Sequence, residues 1–167
     1  GADAVIILVL PVHAELILSE TAKIGFKAQW ATSNTLCDSA LMMQITKGSW
    51  AGVVNSFFSE LPDSDHPLMV KYRKWHKQLE PQERWGLFYY AGIGFAEPFV
   101  EGLRRAGRNL TTETLVKALE SLKDFKGIGP PINYSPTERQ GGKHVFYGKV
   151  RPNGTCERLT DWIKITK

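Results

Sequence analysis

The sequence predicts an α/β fold, with parallel strands covered by helices and a β-hairpin at the C-terminal end. Three observations predict it. Residues 4–10 form a continuous apolar run of strand length, not an alternating one, which is the pattern of a strand buried on both faces of a parallel sheet. A helix-periodic stretch and a second β-prone run, residues 28–32, follow directly, giving a β-α-β unit with parallel strands and a right-handed crossover. Far along the chain, Asn153-Gly154 separates two β-prone runs, residues 144–150 and 155–163. Asn-Gly in that setting is the strongest short hairpin signal.

The elements follow in order. Residues 13–24 read as a helix, with Ala14, Ile17, Leu18 and Thr21 near one face, Lys23 in the last turn and Gly25 at the left-handed cap position. After a loop at 33–38, residues 39–46 form a short helix and residues 50–58 a strand. Residues 61–67 hold Pro62, Asp63, Ser64, Asp65 and Pro67, a polar connection and the first candidate boundary. Pro67 suits the first turn of the next helix, in which Leu68, Tyr72, Trp75, His76 and Leu79 recur at helical spacing until Pro81 stops it. A long helix spans 87–106, closed by Gly107, with Phe88, Phe95, Phe99 and Leu103 as its apolar stripe and Pro98 as an expected kink. Thr111 or Thr112 caps a further helix reaching about residue 122, with Leu115, Leu119 and Leu122 inward. Residues 127–134 are strand-like but broken by Pro130 and Pro131, as at a sheet edge. Residues 135–142 are a polar turn.

Composition excludes several classes. The 167 residues are 43% hydrophobic and 23% charged, a globular balance that argues against disorder. The net charge of +4 is spread thinly, so no nucleic-acid partner is expected. No apolar run reaches the length of about 18 residues needed to span a membrane. The apolar run starts only three residues after Gly1 and lacks a basic stretch before it. It therefore reads as a buried strand, not a signal peptide, with an upstream part of the protein expected to be missing. An isolated chain of this kind is expected to bind ligand weakly or not at all. Cys37 and Cys156 are the two cysteines. They make either one disulfide or two unlinked residues, the latter reading being preferred.

No residue set carries catalysis. His13, His66, His76 and His144 form no pair at metal-ligand spacing, so no metal and no cofactor is expected. His76 reads as a satisfied core histidine. Cys37 follows a strand but has no recognisable base partner. Gly92-Ile93-Gly94 and Gly127-Ile128-Gly129 lack the phosphate-loop pattern, and the first pair reads as helix-packing glycine. Trp85, Phe88, Tyr89 and Tyr90 open a helix after a polar loop. Such aromatics either fill core or line a cleft. Phe88 fits the core stripe, and Trp85 is the better candidate for a cleft.

Several segments, in this order and at these spacings, resemble one family. They are Gly1-Ala-Asp-Ala-Val-Ile-Ile, Ile17-Leu-Ser-Glu-Thr-Ala-Lys-Ile-Gly-Phe-Lys, Gln29-Trp, Gly52-Val-Val, Tyr90-Ala, Phe99-Val-Glu-Gly-Leu-Arg-Arg-Ala-Gly and Gly129-Pro-Pro-Ile-Asn-Tyr. Together they resemble the type I periplasmic binding proteins of branched-chain amino-acid ABC transporters, over roughly the second half of a member. The resemblance implies Rossmann-like lobes, both incomplete. Residues 1–58 would lie in the C-terminal lobe, 62–142 in the N-terminal lobe, and 143–167 would return as a hairpin to the C-terminal lobe. Sheet edges left open in this way invite pairing with a second copy.

The resemblance also implies a function: capture of a small molecule by lobe closure, then docking on a membrane permease, outside the cytoplasm and without bond-making chemistry. The positions it marks as ligand-binding are Leu10 and Pro11 after the first strand, Asn34 after the second, and Trp85 and Tyr89 from the other lobe. Amino-acid binders carry an acid where this chain has Asn34. An amide cannot give an ammonium a charge-assisted contact, so a carboxylate, an amide or an aromatic acid becomes as plausible a ligand as an amino acid. A sensor domain of the same architecture and a small Rossmann-like enzyme are the competing readings.

Overall fold

The computed structural model describes residues 1–165. One sheet runs through it, in the order β1 (Ala4–Ile7), β2 (Gln29–Thr32), β3 (Val54–Phe57), β4 (His144–Val150) and β5 (Cys156–Arg158). The first three strands are parallel, with Ala4 opposite Gln29 and Ala31 opposite Val54. The C-terminal hairpin joins antiparallel: Phe57 faces Phe146, and Val150 faces Cys156. A short β6 (Ile163–Lys164) pairs with the start of β4. The hairpin is thus present, but its returning strand is broken at residues 159–162.

The helix bounds follow local chemistry. α1 (Pro11–Lys23) starts on a proline, whose missing N–H costs nothing at that position. It ends in a Schellman arrangement: Gly25 at φ +68° donates to Ala22 O, and Phe26 N donates to Thr21 O. α2 (Ser39–Ile45) is capped by Asp38, which accepts from Leu41 N at 3.1 Å. α3 (Pro67–Leu79) and α4 (Leu87–Ala106) take the limits that Pro67, Pro81 and Gly107 set. α5 (Thr112–Glu120) opens on a capping box between Thr111 and Thr114.

Three expectations are corrected. The first strand is not covered on both faces: β1 ends the sheet, and Ile7 is buried while Ile6 is 75% exposed. Residues 127–134 are not a strand. Only Phe125 and Ile132 bridge, since Pro130 and Pro131 have no N–H to extend a ladder. The buried stripe of α4 is also a different one. Phe88, Phe95 and Phe99 stay open, while Leu87, Tyr90, Ala91, Pro98 and Gly102 are buried. Small residues decide this. A Cβ on Gly102 would lie 2.6 Å from Leu119 Cδ2, and one on Gly94 3.1 Å from Ile128 Cγ1. The small-residue face lets α5 and residue 128 approach, and the bulky aromatic face cannot.

Trp50, Val53, Phe57 and Phe146 make the fully buried centre beneath the sheet, joined by Met69, Leu87 and Tyr90 from the helical part. The two parts of the chain therefore share one core.

Candidate functional site

Parallel strands put their C-terminal ends on one edge, and in open α/β sheets ligands bind outside that edge. Here Leu8–Leu10, Ser33–Thr35 and Phe58–Ser59 follow β1, β2 and β3 on that edge. α4 and the loop at 127–130 close over its β3 end. The result is a cavity of about 350 Å³.

Its walls are mostly apolar. Phe58 stacks on Phe95 with ring centroids 5.6 Å apart and planes 6° from parallel. Ala91, Gly94, Pro98 and Ile128 continue the surface. The polar groups are few: Asn34, Ser59, Glu97, Tyr134 and His144. Ser59 is 2% exposed, and its Oγ has no hydrogen-bond partner. The Nδ1 of His144 is also buried without a partner. Buried polar atoms are nearly always paired in a finished site.

Glu97 is in the opposite condition. Its Oε1 accepts from the Tyr72 hydroxyl at 2.7 Å, and its Oε2 accepts from Ile128 N at 2.9 Å. Burial, and then the bond to Glu97, raises the Tyr72 phenol well above its ordinary value. The carboxylate fills the place a side chain at residue 127 would take: a Cβ on Gly127 would fall 1.9 Å from Oε2. Glu97 thus joins α3, α4 and the 127–128 loop.

The residues marked from sequence fall in three places. Asn34 lines the cavity. Leu10 lines a separate open recess of about 420 Å³ with His13, Ser33 and Thr35, and Pro11 begins the helix beside it. Trp85 and Tyr89 lie in an aromatic cluster with His76, at centroid distances of 5.3 Å and 4.7 Å from the imidazole. Trp85 Nε1 donates to Pro62 O at 2.9 Å. His76 is buried, but its Nε2 has no partner, so its polar capacity is not satisfied as expected. Ser59, Glu97 and His144 were not marked from sequence. A serine just after a strand of the parallel set was the one available signal.

Cys37 and Cys156 are free and buried, and line a separate small recess with Asp38, Trp85 and Tyr90. Burial raises both thiols, and the neighbouring Asp38 adds to the effect at Cys37. Both are therefore expected to react with an aromatic disulfide reagent orders of magnitude more slowly in native buffer than in urea. Fast native labelling would show that this region opens.

The profile of the family described as "Periplasmic binding protein" matches residues 1–155. The chain belongs to the periplasmic binding protein family. No curated protein matches the chain. Among solved structures, a branched chain amino acid ABC transporter protein from Thermus thermophilus with bound valine matches at TM-score 0.86 and 17% identity, covering 99% of this chain and 47% of its own. A possible leucine/isoleucine/valine-binding protein from Rhodopirellula baltica SH 1 matches at 0.85 and 18%, covering 95% and 42%. A fatty acid ABC transporter substrate-binding protein from Thermomonospora curvata matches at 0.76 and 19%, covering 97% and 43%. This periplasmic binding protein chain spans less than half the length of those structures, and at these identities the likeness shows the fold.

Among the described residues no helix is long and apolar enough to cross a membrane, and no group of three or more His, Cys, Asp or Glu residues is placed to hold a metal ion.

Proposed function

We propose that the chain is part of an extracytoplasmic solute-binding component of an ABC importer. It captures a small amino-acid-like, carboxylate or amide ligand between two closing lobes, and the closed form docks on the membrane permease. One observation carries this reading: the cavity lies where the ends of the parallel strands meet α4, so its walls come from two separate parts of the chain. Closure of those parts on a ligand needs no acid, base or nucleophile. The lobe assignment is part of the proposal. Residues 1–58 and 143–167 contribute to one lobe, and 62–142 to the other. The shared sheet of β1 to β6 and the grouping of α3, α4 and α5 support that division. Asn34 acts on the ligand at the cavity wall, whereas Leu10 and Pro11, at a separate recess, and Trp85 and Tyr89, packed around His76, reach it only as the lobes close.

Asn34→Asp tests the reading at its most informative position. A charge-assisted contact is worth about 1 kcal/mol more than a neutral one. The substitution is therefore expected to improve an ammonium-bearing ligand about fivefold relative to its deaminated counterpart, measured by NMR titration. An unchanged ratio would remove Asn34 from the ligand shell.

A further inference from the structure

We infer that the cavity selects a carboxylate attached to an apolar body and lacking an α-ammonium, with Ser59 and His144 as the donors to the anion. This rests on the reading of the cavity as the ligand site.

The selection follows from a count of free donors and acceptors. An ammonium brings three donors and needs acceptors, preferably charged. Glu97 is the one carboxylate on the cavity wall among the described residues, and both of its oxygens are occupied, by the Tyr72 hydroxyl and by Ile128 N. Recruiting it would break the link between α3 and the loop and leave the buried Ile128 N–H unpaired.

A carboxylate needs donors, and the unpaired groups can supply them: a serine hydroxyl, and an imidazole nitrogen in the tautomer that carries its proton there. The Ser59 hydroxyl is buried at the wall without a partner, and the His144 Nδ1 likewise. The Tyr90 hydroxyl neighbours Ser59, and neither oxygen makes a hydrogen bond in the structure. Burial keeps the Tyr90 phenol protonated, and its oxygen can both donate and accept. The Ser59 O–H rotates freely enough to serve an anion in the cavity as well as Tyr90. The Asn34 amide adds N–H donors at the wall. The stacked Phe58 and Phe95 with Ile128 and Pro98 form the apolar remainder, suited to an alkyl or aryl body.

Three probes of one shape separate the cases: 3-phenylpropanoate, 3-phenylpropanamide and L-phenylalanine, titrated to millimolar concentration into the 15N-labelled chain. The expected result is that 3-phenylpropanoate shifts the amides of Phe58, Ser59, Phe95 and His144 and binds at least tenfold more tightly than L-phenylalanine. Ser59→Ala is expected to weaken it about three- to tenfold, the net value of one hydrogen bond. That variant should fold, since it replaces an unpaired buried hydroxyl by a hydrogen. L-Phenylalanine or the amide binding as tightly as the acid, at the same amides, would overturn the anion selection and leave the solute-binding reading standing. Shifts at these amides from none of the three would overturn the anion selection, while the solute-binding reading, which expects weak or absent binding by the isolated chain, would stand.

Discussion

Phe146→Ala is expected to lower the free energy of unfolding by about 3–5 kcal/mol, the range for removing a buried aromatic ring. Phe146 is wholly buried. It stacks on Phe57 at 5.1 Å, meets Trp162 edge-on at 5.0 Å, and carries the Arg158 guanidinium 4.1 Å above its ring. Those contacts reach β3, β5 and the segment after it, so they share one truncation energy and do not add separately. The neighbouring Tyr147 is 41% exposed and points to the other face, and Tyr147→Ala is the control, expected to cost under about 1 kcal/mol. Urea unfolding followed by tryptophan fluorescence and by circular dichroism measures both. The comparison bears on architecture. If residues 143–165 were a separate hairpin, Phe146→Ala would cost little in the main transition and would split the two probes. A loss under about 1 kcal/mol with non-coincident curves would refute the shared core of β3 and β4.

Local chemistry was legible in the sequence and tertiary chemistry was not. The end of α1 and the bounds of α3, α4 and α5 follow from Gly25, Pro67, Pro81, Gly107 and Thr111, because each acts on backbone within a few residues, whereas α1 starts at Pro11, two residues before the expected position. Strand limits depend on distant partners. Trp50–Val53 look β-prone, yet they form a turn, and pairing begins only at Val54 opposite Lys149. α4 misleads for another reason. It has two apolar faces, and periodicity favours the aromatic one, while Ala91, Gly94, Pro98 and Gly102 mark the face on which neighbours fit. The site divides in the same way. Asn34 is readable from its place after a parallel strand. Ser59 and His144 matter because their polar atoms lack partners, a property of the assembled fold alone. Glu97 reads as a surface carboxylate until Tyr72 and Ile128, 25 and 31 residues away, occupy it.

Arg84→Ala is expected to cost about 2–3 kcal/mol, although Arg84 itself is 44% exposed. An exposed ion pair contributes at most about 1 kcal/mol, whereas stripping the partner from a buried one costs about 3–5 kcal/mol. The answer depends on which end is buried. Asp38 is, at 3% side-chain exposure, and it receives both guanidinium arms, at 2.9 Å and 2.6 Å. Without Arg84 its carboxylate keeps only the Leu41 N–H among its hydrogen bonds, and the charge stays desolvated. Solvent at the arginine end brings the expected cost below the fully buried range. Asp38→Asn separates charge from capping, because an asparagine still caps α2. In that background Arg84→Ala should cost under about 1 kcal/mol, giving a coupling of at least about 1 kcal/mol in the double-mutant cycle. Equal costs in the two backgrounds would show that the guanidinium acts through packing of its stem. The bridge also has a place in the proposed mechanism. It ties the start of α2, on the sheet side of the cavity, to the segment that leads into α4 on the other side. A pair that strong at this point would hold the two parts of the chain together while the rest of the cleft closes around it.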